Sequence, residues 1–294
     1  MVENRETNQI QYFLTLYFYL LENDLNNSEN GLNDVKFQSE EANTDEHLKI
    51  YFQKYILENN VIPETELKSI SINSTTESIT VEIEQLASFK IINVFLPEQL
   101  SAKQKQVITD LKSSVYTNPD LFLEISDGSN SFFESLELKS TKNNNIPGSS
   151  VQQVSPFEWV IFVKRNKDNV DVSTGYYINS ITEKLPFPDR SPRPQIGFKT
   201  LTNWNEIYRT VESNNLLIEN TSKLNDEKIK LLTDWQDYLA SEWLDIIKLN
   251  QVKKNEKWFN NALRKFSVKF LEYSETLNDN DKDLLKKKLN ELIK

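Results

Sequence analysis

Cysteine is absent and histidine occurs once, at His47, among 294 residues. That scarcity removes disulfides, thiol nucleophiles, the usual zinc ligand sets and any triad built on several histidines. Catalysis by this chain must therefore use carboxylates, lysines and hydroxyls. Long apolar runs are missing as well. The stretch Tyr12 to Leu21 falls short of the roughly eighteen residues a membrane span needs, and its flanks are too acidic for a secretory signal. A cytoplasmic location with no membrane partner is the expectation. Excess positive charge is also lacking, since the net charge is −10, and phosphate binding depends on Lys and Arg. The distribution softens that objection. Basic side chains outnumber acidic ones only in the stretch that begins at Lys139 and runs to Arg209, and a local basic cleft holds DNA even on an acidic protein.

The chain is long enough to bury a substantial core. Gln9 to Glu22 is apolar on most faces and predicts a buried helix; His47 to Asn59 repeats that character through Ile50, Tyr51, Tyr55 and Ile56. From Lys68 the period changes to the alternation of β-branched residues expected of two or three strands. Ser101 to Val115 predicts a helix with Ser101 as its N-cap. Beyond residue 145, "IPGSS" predicts a turn or loop, Glu158 to Arg165 a buried strand, and Val170 to Asn179 a further one. Leu185 to Phe198 carries four of the nine prolines and predicts an extended loop. From Leu224 onward the pattern is helical, with Trp235, Leu239 and Trp243 along one side for packing. No internal repeat or flexible linker imposes a boundary. We expect one globular unit over 1–294, with helices and strands in 1–100, a catalytic core in 101–210 and a helical region in 211–294.

The stretch "NPDLFLEISDGSNSFFESLELKSTKNN" carries the chemistry. Alternating residues on either side of an Asp-Gly turn predict a hairpin. Period two puts Glu137 and Lys139 on one face of its second strand and Leu136 and Leu138 on the other. Asp120, at the start of the first strand, is brought to the same end as Glu137. Two carboxylates there suit Mg²⁺, a hard cation that accepts oxygen ligands and keeps several waters. A lysine two residues from one of them can position or deprotonate a water and neutralise a phosphate. Phosphodiester hydrolysis needs those parts together.

Pro119-Asp120, a spacer and then Glu137-Leu138-Lys139 resemble the signature of the PD-(D/E)XK nucleases, whose best-known members are type II restriction endonucleases. Residues 118 to 200 also look like stretches of such enzymes, where a polar loop after the catalytic strand approaches DNA. The resemblance implies an α/β fold with a mixed sheet core flanked by helices. It implies Asp120 and Glu137 as Mg²⁺ ligands, Lys139 as the catalytic lysine and site-specific cleavage of double-stranded DNA. A homodimer would match a palindromic target, and a DNA methyltransferase would accompany the enzyme. The family often adds an acidic residue on a preceding helix, for which Asp110 and Glu84 are candidates.

For contact with DNA the candidates are Lys142, Asn145, Ser149, Ser150, Gln152, Gln153, Arg190 and Arg193. Gln reads adenine in a bidentate manner, Ser binds phosphate or base edges, and the two arginines sit in a proline-stiffened loop. The alternatives are a non-catalytic nucleic-acid or protein-binding module whose hairpin is structural, and a nicking, repair or phage-defence nuclease acting with partners.

Overall fold

The computed structural model describes residues 9–27, 32, 44–73, 78–111, 119–151, 155–166, 169–182, 193–219, 225–248 and 257–293. They cluster into two compact units that part after Thr233.

The larger unit is mixed α/β. It opens with α1 (Gln9–Asn27) and α2 (Thr44–Glu58), followed by the hairpin of β1 (Ser69–Asn73) and β2 (Ser78–Glu82). Next come β3 (Lys90–Phe95) and α3 (Ala102–Leu111). The expected N-cap of α3 is present: Ser101 Oγ accepts from the Gln104 amide at 3.3 Å, and the Gln104 side chain accepts in return from the Ser101 amide at 2.9 Å. The hairpin of β4 (Leu121–Ser126) and β5 (Ser131–Thr141) turns through Asp127 and Gly128, whose φ is +95°, with Asp127 Oδ1 accepting from the amides of Ser129 and Asn130.

After β5 the chain forms the short β6 (Asn145–Pro147), then β7 (Trp159–Arg165), β8 (Val170–Tyr176) and the single turn α4 (Tyr177–Ser180). Then β9 (Gln195–Gly197) leads into α5 (Phe198–Tyr208). The central sheet has the order β3-β4-β5-β7-β8, antiparallel throughout except for the parallel pair β5 and β7. Leu136, Leu138, Trp159 and Ile161 face a core that includes Phe18 of α1 and Phe52 of α2. On the other face Val160 and Phe162 pack with Tyr177, Phe198 and Leu201. Helices thus cover both sides of the sheet.

Helix α1 also closes the β8 edge. Asn26 exchanges hydrogen bonds with the Val172 amide and carbonyl at 2.8 and 2.9 Å, and Glu22 accepts from the Thr174 amide at 2.6 Å. Polar side chains thereby satisfy backbone groups that an open edge would present.

Three local readings change. In α2 the buried stripe is Leu48, Phe52 and Ile56, at i, i+4 and i+8, whereas Ile50 is half exposed. The "IPGSS" segment begins in strand β6, which pairs with β9 rather than looping freely. Residues 211–219, expected to open the C-terminal helical region, are largely strand instead, in β10 (Arg209–Glu212) and β11 (Asn215–Glu219). Their two-residue turn places Ser213 and Asn214 at φ of 51° and 63°, as a hairpin of primed type requires. Strand β11 pairs in parallel with β1, giving a second sheet of order β10-β11-β1-β2. The unit ends with α6 (Asp226–Thr233).

The smaller unit is helical: α7 (Trp235–Lys248), α8 (Lys257–Glu275) and α9 (Asp279–Leu292). Helices α7 and α8 pack through buried Ile246 and Asn260 and through Trp243 against Phe259. Asn278 caps α9 by accepting from the Asp281 amide at 3.0 Å. Among the described residues no helix is long and apolar enough to cross a membrane.

Candidate active site

The register of the β4–β5 hairpin builds the site. Leu121 pairs with Leu136, and the next residues outward, Asp120 just before β4 and Glu137 on β5, come close enough for the Asp120 charge to act on Glu137. Asp120 is further tied to β5 because its Oδ2 accepts from the Leu138 amide at 2.8 Å. Glu137 and Lys139 share one face of β5, as the alternation predicted, and their side chains meet at 2.5 Å. The opposite face carries Leu136 and Leu138 into the core, which anchors the charged pair from behind.

Three further groups complete the surroundings, and the sequence assigned these roles to none of them. Lys49 reaches from α2 to Asp120 Oδ1 at 2.7 Å. Ser149 donates from its hydroxyl to Glu137 Oε1 at 2.5 Å. Tyr177, fully buried, accepts from the Ser149 amide at 2.8 Å and so holds that serine in place. Lys49 gave no signal because it lies far away in sequence, on a helix whose apolar residues dominate the pattern. Tyr177 had one faint signal, a polar-tipped aromatic at the end of a buried strand, which usually needs a hydrogen-bond partner.

Electrostatically the site is tight. Burial pushes the Glu137 carboxyl above its usual range; the Lys139 ammonium opposes that shift, and the nearby charge of Asp120 adds to it. Only 6% of the Glu137 side chain is exposed, against 13% for Asp120, 18% for Lys139 and 25% for Lys49. Water therefore reaches Asp120 and the two lysines more readily than Glu137. Burial also raises the Tyr177 phenol, helped by the charges of Glu137 and Glu158, so it stays a neutral hydrogen-bonding group.

The polar loop after β5 converges on the same place. Gly148 donates to the Pro194 carbonyl at 2.8 Å, extending the β6–β9 pairing in which Pro147 faces Gln195. One step further along that register stand Ser149 and Arg193. The ribbon thus links a carboxylate-bound serine to the end of the proline-rich segment. Gly148 is required there, since a Cβ would collide with the Tyr177 hydroxyl and stand 2.8 Å from the Pro194 carbonyl.

Of the DNA-contact candidates, Lys142, Asn145 and Arg193 are exposed, Ser149 is turned inward to Glu137 and Ser150 is buried. Gln152, Gln153 and Arg190 lie outside the described residues. Glu84 is exposed in the turn after β2, and Asp110 lies near the end of α3, its side chain outside the description. Among the described residues no cluster of three or more carboxylate, histidine or cysteine side chains is present. The donor set is two carboxylates. Mg²⁺ commonly takes one or two protein carboxylates and fills its octahedron with water and phosphate oxygens, so the all-oxygen pair Asp120 and Glu137 fits that ion.

The fold and the site define a mixed α/β protein with two neighbouring carboxylates and a lysine at one end of a buried hairpin. No protein-family model, no curated protein and no solved structure matches the chain.

Proposed function

We propose that the chain is a Mg²⁺-dependent type II restriction endonuclease with a PD-(D/E)XK core, hydrolysing phosphodiester bonds at specific sequences in double-stranded DNA. The observation that carries this reading is the convergence of Asp120, just before β4, and Glu137 on β5, with Asp120 bonded to the Leu138 amide and Lys139 in contact with Glu137. Asp120 and Glu137 would hold Mg²⁺, which when bound supplies Lewis-acid polarisation of the phosphodiester. Lys139 orients the attacking water and neutralises charge that develops on the phosphate. Ser149 and Tyr177 fix the Glu137 carboxylate, so that the ligand is set before substrate arrives. Lys142, Asn145 and Arg193 are exposed and would meet DNA, the charged ones through phosphates. The same reading carries a cytoplasmic homodimer acting on palindromic sites beside a DNA methyltransferase.

One observation favours a structural role instead: each carboxylate already has an ammonium partner, Lys49 for Asp120 and Lys139 for Glu137. The two readings separate on plasmid DNA. Incubation with Mg²⁺ should give discrete fragments, and Lys139→Ala should abolish them while leaving the protein folded. Intact plasmids of varied sequence after exposure to soluble wild-type protein would overturn the nuclease reading.

A further inference from the structure

The Lys49–Asp120 pair joins an element far from the hairpin to the candidate metal ligand. Formal charge shows what it does. Two carboxylates and two ammoniums cancel, so the four-residue cluster is neutral when both carboxylates are ionised. A divalent cation entering alone would meet two ammonium groups and leave the cluster doubly positive. A cation arriving with a phosphodiester brings one negative charge with it, and a displaced ammonium then has an anion to join. The two lysines differ in setting. Lys139 stands on the strand that carries Glu137, whereas Lys49 reaches in from α2 and is the most exposed of the four.

We propose that Lys49 is a resident counter-cation: it occupies Asp120 before substrate binds and yields that carboxylate to the divalent ion when a phosphate arrives to receive its ammonium. Lys49 is then a positioning residue that makes cation binding conditional on substrate. The inference rests on the nuclease reading of the site, whose metal ligand it concerns. Its chemistry involves only exchange of ionic partners, with no bond made or broken.

The test is calorimetric titration with Mg²⁺ alone, without DNA, on wild type, Lys49→Met, Lys49→Arg and Asp120→Asn. Removing a positive charge in contact with a ligand carboxylate should tighten Mg²⁺ binding about tenfold, the effect of one pKa unit on such a group. Lys49→Arg should keep the wild-type affinity, and Asp120→Asn should weaken it. Thermal melting supplies a second readout. The rise in melting temperature on adding Mg²⁺ should be larger in Lys49→Met than in wild type, which a merely structural lysine would not produce. A Lys49→Gln variant serves in the same way if the methionine form does not fold. Equal or weaker Mg²⁺ binding by the charge-removing variants Lys49→Met and Lys49→Gln, with Asp120→Asn still impaired, would overturn the counter-cation role and leave the nuclease reading standing. Wild type that binds no Mg²⁺ with or without DNA would overturn both.

Discussion

Glu137→Gln is the most informative substitution in this protein, because it should cost activity while improving stability above acidic pH. Glutamine keeps the shape and an oxygen able to accept from Ser149 and Lys139, so the change isolates the charge. Below the ordinary glutamate value of 4.5 the wild-type carboxyl is neutral in both folded and unfolded chains. There the two proteins should differ by no more than about 1 kcal/mol, the worth of one hydrogen bond. The folded-state pKa is raised, first by burial, so between the unfolded and folded values the folded chain holds more protons. Linkage then requires wild-type stability to fall as pH rises through that window, by up to about 1.4 kcal/mol per pH unit, and to level off above it. Glutamine has no such slope. Urea unfolding followed by circular dichroism in EDTA, at intervals from acidic to mildly alkaline pH, gives the difference directly, provided the denaturant slope is unchanged. A difference that stays flat with pH would show that burial does not raise the Glu137 carboxyl. One in which wild type gains on the variant as pH rises would do so more sharply, by showing that the Lys139 attraction outweighs burial. On plasmid DNA the variant should be inactive at every pH.

Two other substitutions separate packing from chemistry. Leu138→Ala empties a site only 1% exposed and should cost about 2–5 kcal/mol in a thermal or urea melt, yet its amide still donates to Asp120, so cleavage well below the melting range should persist within a fewfold. Gly148→Ala forces apart the Tyr177 hydroxyl and the Pro194 carbonyl; it should destabilise by about 1–3 kcal/mol and, by shifting Ser149, depress DNA cleavage even where circular dichroism shows a folded protein.

What the sequence made legible follows from the range of the forces involved. The β4–β5 hairpin could be read because strand alternation and an Asp-Gly turn are local, and the same phase placed Glu137 and Lys139 together. The cap of α3 was readable for the same reason. The β10–β11 hairpin escaped because its turn is Ser213-Asn214, without the glycine that usually announces positive φ. In α2 the apolar residues are so numerous that composition did not choose a face. Burial chose Leu48, Phe52 and Ile56, turning Ile50 outward. Lys49 and Tyr177 lie at the limit of such reading. Lys49 meets Asp120 and Tyr177 meets Ser149 through contacts between residues distant in sequence, and only the assembled sheet and helices bring them there.

The parallel pairing of β1 with β11 reaches beyond architecture into the timing of synthesis. Ser69 aligns with Asn215 and Asn73 with Glu219, so β1 cannot gain its second neighbour until almost three quarters of the chain has been made. Until then one of its edges stays open, and a ribosome moving at about 5–20 residues per second leaves it so for several seconds to half a minute. Such late, non-local closure slows folding and exposes an unpaired strand meanwhile. A nascent chain halted before Asn215 should therefore be held by chaperones or aggregate, whereas one extended far enough past Glu219 for that strand to clear the ribosome has every strand of the two larger sheets available for pairing.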